Sequence, residues 1–312
     1  MKVLITGSEG YIGKHLQYSF STMKDVTVVP FDLKLGNDIR EISHINRVFT
    51  QEELKGDSID AVIHLAALIS VEEGESNPED YINTNVVGTM NLLFVMKTNK
   101  CKRFIFASTA AVYETNDKLL HEESKLKPKS VYGRTKRMCE RSIIEMCPTW
   151  ECKYTIYRFF NVCGSEPTIH VKDQNSHLFP NLVNNIINDM PMRIYGTDYE
   201  TPDGTCIRDY VHVMDICDAL VLLGKENSYN QIFNLGSNKG YSVKDIVKEF
   251  VKVGERYYGR AKVCYMKSRK GDCATLVADS KKANDLLSWM PKRSLTTMIS
   301  SSFFISINDI YE

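Results

Sequence analysis

The chain opens on a strand, a glycine turn and a helix, and few folds accept that order. Residues 2–6, KVLIT, are short, continuous and β-branched, the composition of a strand buried on both faces. GSEGYIG follows at 7–13, then KHLQYSFS, which has helical composition. Gly7, Gly10 and Gly13 therefore fall at a strand-to-helix turn. There glycine lets the backbone turn tightly, approach a pyrophosphate and pack the helix close to the sheet. Tyr11 and Ile12, in the same turn, are cofactor-binding candidates with them. The spacing is G-x-x-G-x-x-G rather than G-x-G-x-x-G, and alone it fits a ligand-free glycine turn equally well.

The next strand separates the two readings. Residues 26–32, VTVVPFD, are apolar and end in Asp32, nineteen positions after Gly13. A carboxylate at about that offset accepts hydrogen bonds from an adenosine ribose and repels a 2′-phosphate. NAD is favoured over NADP.

Further strands and helices alternate after it. AVIHLAA at 61–67 reads as a strand ending in small residues that leave room for a cofactor, so Leu65, Ala66 and Ala67 join the candidates. Residues 85–99 read as an amphipathic helix, 103–109 (RFIFAST) as a strand ending in the hydroxyls of Ser108 and Thr109, and 154–160 as another strand. Alternation of this kind predicts an α/β fold, a doubly wound parallel sheet covered on both faces. Ligands of such sheets bind beyond the carboxyl ends of the strands. Gly7, Asp32, Ala66, Thr109 and Asn161 all lie there.

Bulk properties exclude other classes. The 312 residues carry 39 basic and 39 acidic side chains, so net charge draws the chain to neither nucleic acid nor anionic membrane. The first apolar run, Val3 to Ile5, is too short for a signal-peptide core or a membrane span. Nine scattered cysteines without a Cys-x-x-Cys pair read as reduced thiols of a cytoplasmic protein. No spacing suggests a metal site. His64 and His212 lie in strand-like runs and read as core or orienting histidines.

YGRTK at 132–136 places Tyr132 and Lys136 one helical turn apart on one face. With TGSEGYIG, HLAA, NVVGT, STAAVY, RFFNVCG, the run from Ile194 to Ala219, FNLGSNKGYSV and KGDCATLVADSKKA, the chain resembles the extended short-chain dehydrogenase/reductase family over nearly its whole length. Within that family it is similar to the UDP-glucose 4-epimerases (UDP-galactose 4-epimerases), and Ile194–Ala219 is the most specific segment.

The resemblance implies a Rossmann-type NAD-binding domain over 1–162. A smaller, interleaved substrate domain would cover mainly 163–312, with some segments returning to the first. It implies catalytic Thr109, Tyr132 and Lys136, with Ser108, Tyr132 and Lys136 also touching the cofactor. Asp38 and Ile39 match positions beside the adenine, Asn85 the nicotinamide side, and Phe160 the ring beside the nicotinamide. Thr109, Tyr132, Asn161, His177, Leu178, Tyr195, Arg208, Arg269, Asp272 and Leu276 match the nucleotide-sugar site. At His177 only the backbone contact carries over. Where many relatives have a lysine reaching the cofactor, Ile69 stands. Leu276 stands where strict glucose/galactose enzymes have a tyrosine, which leaves room for an N-acetyl group. The implied partners are a UDP-sugar and a second copy of the chain, packed through helices around 85–99 and 132–147.

The implied reaction inverts C4 of a UDP-sugar through a transient 4-keto sugar. Lys136 would lower the pKa of Tyr132 from its usual value near 10, and the two arginines would grip the diphosphate. Asp209 would pair structurally with Arg208. A 4,6-dehydratase or decarboxylase needs further acid–base groups where Ala110 and Ala111 stand. A non-catalytic NAD-binding protein would not need Thr109, Tyr132 and Lys136 together.

Overall fold

A computed structural model describes residues 1–114, 119–169, 177–223, 225–259, 261–268 and 272–307. The strands are β1 (Lys2–Thr6), β2 (Thr27–Phe31), β3 (Ala61–His64), β4 (Arg103–Thr109), β5 (Lys153–Phe159), β6 (Asn161–Cys163), β7 (Met192–Tyr195), β8 (Ile207–His212), β9 (Gln231–Leu235), β10 (Gly240–Ser242), β11 (Val263–Met266) and β12 (Thr275–Leu276). The α-helices are α1 (Tyr11–Ser21), α2 (Ile42–Leu54), α3 (Val71–Ser76), α4 (Pro78–Tyr81), α5 (Gly88–Thr98), α6 (Val131–Met146), α7 (Leu178–Ile187), α8 (Val213–Leu220), α9 (Val243–Tyr258), α10 (Lys281–Leu287) and α11 (Leu295–Ile307).

Six parallel strands form the main sheet in the order β2-β1-β3-β4-β5-β9. Strand residues alternate between its two faces. Leu4, Phe104 and Phe106 face a core built with α2, α5 and α6. Val3, Ile5, Ile105 and Ala107 face a second core built with α1, α8 and α10. Both faces are covered, which is why these strands read as continuous apolar runs. The fold is Rossmann-type.

A second sheet, β10-β8-β12 with β6 also on β8, and the pair β11–β7 lie later in the chain. Their core contains Phe179, Leu182 and Val183 of α7, Phe250 of α9 and Phe303 of α11. The weakly patterned C-terminus thus forms a helix to Ile307, and 308–312 lie outside the described residues.

Two expected elements differ. The strand at 61–67 ends at His64, because the amides of Leu65 and Ala66 turn back onto Thr6, Leu65 to its carbonyl (3.1 Å) and Ala66 to its hydroxyl (3.3 Å). The helix at 85–99 is two pieces: a π-helical turn at Ile82–Val87 leads into α5. The wide turn carries buried Asn85, whose side chain binds the backbone of Leu68 (2.8 and 3.0 Å) and the hydroxyl of Thr135 (3.1 Å).

The connection out of β1 runs one way along the sheet and that out of β3 the other, so the gap between β1 and β3 is the switch point. Gly7 turns there with φ +73°, and a Cβ on it would lie 2.7 Å from the Ala66 nitrogen. A Cβ on Gly13 would lie 2.2 Å from the Gly7 carbonyl oxygen. Helix α1 can start this close to β1 only if residue 13 has no side chain. Gly13→Ala should therefore destabilise the protein by at least roughly 1–3 kcal/mol, the range of core overpacking. Urea unfolding checks this; an unchanged midpoint would mean the turn relaxes freely.

Candidate active site

Helix α6 docks on the end of β4 through three successive turns. Ser130 caps it, its hydroxyl accepting from the Gly133 amide at 3.0 Å. Gly133 permits the approach, since a Cβ there would lie 2.5 Å from the Ala111 carbonyl oxygen. The Tyr132 phenol lies within hydrogen-bonding reach of the Thr109 side chain. The Lys136 ammonium donates to the Ala107 carbonyl at 2.8 Å and sits 4.7 Å from the centre of the Phe106 ring. One turn on, the Glu140 carboxylate accepts from the Ser108 hydroxyl at 2.6 Å.

The protonation states differ from the sequence expectation. Burial pushes Tyr132 up to about 12, and only its contact with Thr109 opposes this. Lys136 does not lower it in the protein alone, because the ammonium is directed at the Ala107 carbonyl. Burial also lowers Lys136 to about 8, against the opposing charges of Cys139 and Glu140.

The cofactor candidates gather at the same edge of the sheet. One Asp32 oxygen accepts from the Glu9 amide and the other from Lys34, each at 3.0 Å, so the carboxylate stands directly beside the glycine turn. The Tyr11 hydroxyl donates to the Gly164 carbonyl, and half-buried Ile12 packs on the core that holds Leu16 and Ile216. Asp38 is occupied by the Arg40 guanidinium (2.6–3.0 Å), which holds its carboxyl below the usual range. Ile39 is buried. Phe160 is buried with Ala110, Val112 and Tyr113. Ile69 is exposed and brings no charge. A side-chain-free cradle at the switch point, a carboxylate beside it and a buried ammonium at the next strand end fit a dinucleotide.

A cavity of about 400 Å³ brings Asn161, His177, Leu178, Tyr195, Arg208 and Asp272 together. Arg208 lies 3.9 Å from Asp272 and donates to the Ile207 carbonyl at 2.9 Å. Arg269 lies outside the described residues. Leu276 does not line this cavity. It packs, half-buried, on the cluster of Ala110 and Phe160, immediate neighbours of Thr109 and Asn161.

Arg193 also lines the cavity, and the sequence reading missed it. Two-residue alternation along β7 puts it on the face of Tyr195, which was the available signal. Asp209 is a correction. Rather than pairing with Arg208, its carboxylate accepts from Ser237 (2.6 and 2.7 Å), Asn238 (3.0 Å) and Ala278 (3.1 Å), fixing the turn after β9. His64 bridges the hydroxyls of Thr6 (2.6 Å) and Thr89 (2.9 Å), and His212 binds Ser301 (3.0 Å), both as orienting histidines. Among the described residues no group of side chains could hold a metal ion.

The sequence profile of the NAD dependent epimerase/dehydratase family matches residues 3–236. A UDP-glucose 4-epimerase of Halalkalibacterium halodurans is 33% identical, covering 96% of this chain and 93% of its own. The structure of UDP-glucose 4-epimerase from Bifidobacterium longum, in complex with NAD+ and UDP, superposes with a TM-score of 0.87 at 28% identity, covering 99% of both chains. The UDP-Glc/GlcNAc 4-epimerase of Campylobacter jejuni superposes at 0.80 with 31% identity, covering 98% of this chain and 99% of that one.

The raised Tyr132 is directly testable. In a difference titration of wild type minus Tyr132→Phe, the phenol should ionise only near pH 12 in the protein alone, and at lower pH once NAD⁺ places a positive ring beside it. Ionisation below pH 10 without NAD⁺ would contradict the burial argument.

Proposed function

The chain belongs to the NAD dependent epimerase/dehydratase family, and we propose that its reaction is the NAD-dependent inversion of C4 in a UDP-sugar, UDP-glucose and UDP-galactose first. The observation that carries this reading is the meeting of Thr109, Tyr132 and Lys136 at the end of β4, on the strand-end edge of the sheet that also holds the glycine cradle, together with a cavity of about 400 Å³ that Asn161, just beyond the end of β5, shares with Arg208.

Tyr132 takes the proton from the sugar 4-hydroxyl, with Thr109 holding or relaying it, and returns it after inversion. NAD, when bound, supplies the acceptor and later the donor of the C4 hydride. Gly7, Gly10, the backbone of Tyr11 and Ile12, and Gly13 would hold its pyrophosphate. Asp32 would take the adenosine ribose and Asp38 and Ile39 the adenine. Leu65, Ala66, Ala67, Asn85, Ser108 and Phe160 would line the nicotinamide half. Lys136 keeps N–H donors beyond the one on Ala107, enough for a ribose hydroxyl. Beside the positive nicotinamide ring, when bound, the phenol would come down toward the range where base catalysis is effective, with Lys136 on the ribose.

The nucleotide must stay fixed while the keto sugar turns. Arg208, with Asp272 and Arg269, grips the diphosphate and ribose, and Arg193 adds a further guanidinium at the cavity wall. Ala110 and Ala111 supply no further proton donor, so dehydration or decarboxylation is not favoured. The reading divides the chain at 162/163 into cofactor and nucleotide-sugar domains. It also includes a homodimer through exposed Ile82, Val87, Phe94 and Met138 on the π-turn, α5 and α6. The site of action is the cytoplasm; no helix of the described residues is long and apolar enough to cross a membrane.

Purified protein given UDP-glucose should yield UDP-galactose, and Tyr132→Phe should lose about 10²–10⁴ in turnover while still binding UDP. No product from wild type, or near-normal turnover in the variant, would reject the reaction or the base respectively.

Leu276 beside Phe160 supports a second, broader reading that includes the N-acetylated UDP-hexosamines, as the Campylobacter enzyme's name does. Leu276→Tyr should abolish N-acetylhexosamine turnover and spare the simple hexoses. Equal loss of both, or of neither, would show that this position does not gate the sugar.

A further inference from the structure

Glu140 is fully buried one turn beyond Lys136, and neither the motif nor the mechanism above uses it. Its carboxylate takes the Ser108 hydroxyl at 2.6 Å, the Arg158 guanidinium through two bonds of 2.8 Å and Arg137 at 3.2 Å. Arg158, also buried, donates onward to the Tyr113 hydroxyl and the Glu122 carbonyl, both at 2.9 Å, and Tyr113 to Asn234 of β9 at 2.7 Å. One carboxylate thus faces two guanidinium groups, with the Lys136 ammonium a turn away.

We propose that Glu140 is a positioning residue for the reacting pair: it anchors α6 on the end of β4 and balances the charge of the Lys136 ammonium inside the fold. The inference rests on the reading of Tyr132 and Lys136 as that pair.

The geometry supports both halves. Tyr132, Lys136 and Glu140 recur every four residues on one face of α6, and each meets one of the three consecutive residues Ala107, Ser108 and Thr109. Of the three contacts, only the one made by Glu140 continues across the sheet, through Arg158 on β5 to β9. A slip of α6 would carry Tyr132 and Glu140 together, so the phenol cannot leave Thr109 that way without breaking the Glu140 contacts as well.

The charge argument runs the same way. Facing Lys136 are Cys139 and Glu140 from α6, His64 from β3, and the Ala107 carbonyl and Phe106 ring from β4, while Tyr132 lies one turn before it on the same face of α6. Burial keeps His64 neutral, down to about 3. Arg137 and Arg158 both donate to Glu140. Without the carboxylate, Lys136, Arg137 and Arg158 lose the anion that they share. Lys136, already near 8, would then lose its proton at lower pH.

The test compares wild type, Glu140→Gln and the double variant E140Q/R158M, which removes the carboxylate together with the guanidinium it would strand. Two curves are measured from pH 6 to 9: kcat/KM for UDP-glucose, and the Kd for NAD⁺. In each folded variant the alkaline fall in kcat/KM and the alkaline rise in Kd should both move down by roughly one pH unit, the scale of a nearby opposite charge. A lower melting temperature with both curves at their wild-type positions would make the pair purely structural and overturn the proposal. Failure of both variants to fold would overturn it in the same sense. If wild type turns over no UDP-sugar, the reaction assignment fails, while the NAD⁺ curves still judge Glu140.

Discussion

The rest of the site depends on a buried ammonium. Lys136 is 3% exposed, and a charge taken out of water is tolerated only where other groups replace its hydration. Here the Ala107 carbonyl, the Phe106 ring and the field of Glu140 do so. Those partners sit on one strand end and one helix, so the lysine dictates how closely α6 must approach β4. Gly133 is what lets it come that near. The approach brings the Tyr132 phenol to Thr109 and buries it, which raises its pKa in the protein alone. In the proposed reaction that phenol would stay neutral until a positive ring arrives, a base formed together with its cofactor.

The glycine cradle is tied to the later part of the chain by a buried polar cluster. Tyr11 binds the Gly164 carbonyl, and His15 contacts the Tyr11 carbonyl (2.8 Å) and the Ser165 hydroxyl (3.1 Å). His212 binds Ser301 of α11, and that same hydroxyl accepts from the Ser165 amide at 3.2 Å. Burial holds His15 near 4 and His212 near 3, so both are neutral at physiological pH and serve as hydrogen-bonding spacers. The first turn of α1 is thereby connected to the segment that leads toward the nucleotide cavity.

What the sequence by itself determined is the material that obeys short-range rules. Strand–glycine–helix order, the nineteen-residue step from Gly13 to Asp32 and the i, i+4 pairing in YGRTK are local patterns. Periodicity and backbone sterics translate them directly into a doubly wound sheet with its ligand edge marked. The residues from Asn161 to Asp272 that the resemblance assigns to a nucleotide-sugar site are far apart in sequence, and the described ones line one cavity. Arg193 was within reach of strand alternation but had no motif to draw attention to it.

Only the tertiary structure decided what each ionisable group faces. Adjacency in sequence put Asp209 with Arg208; folding sends its carboxylate to the turn after β9 instead. The spacing of Tyr132 and Lys136 suggested that the ammonium tunes the phenol directly, yet the ammonium is directed at Ala107. Glu140 carried no signal at all, because Arg158 comes from another strand eighteen residues on. Burial and charge pairing depend on distances through space. Those distances are set by how helices dock on the sheet, information that no local window of the chain contains.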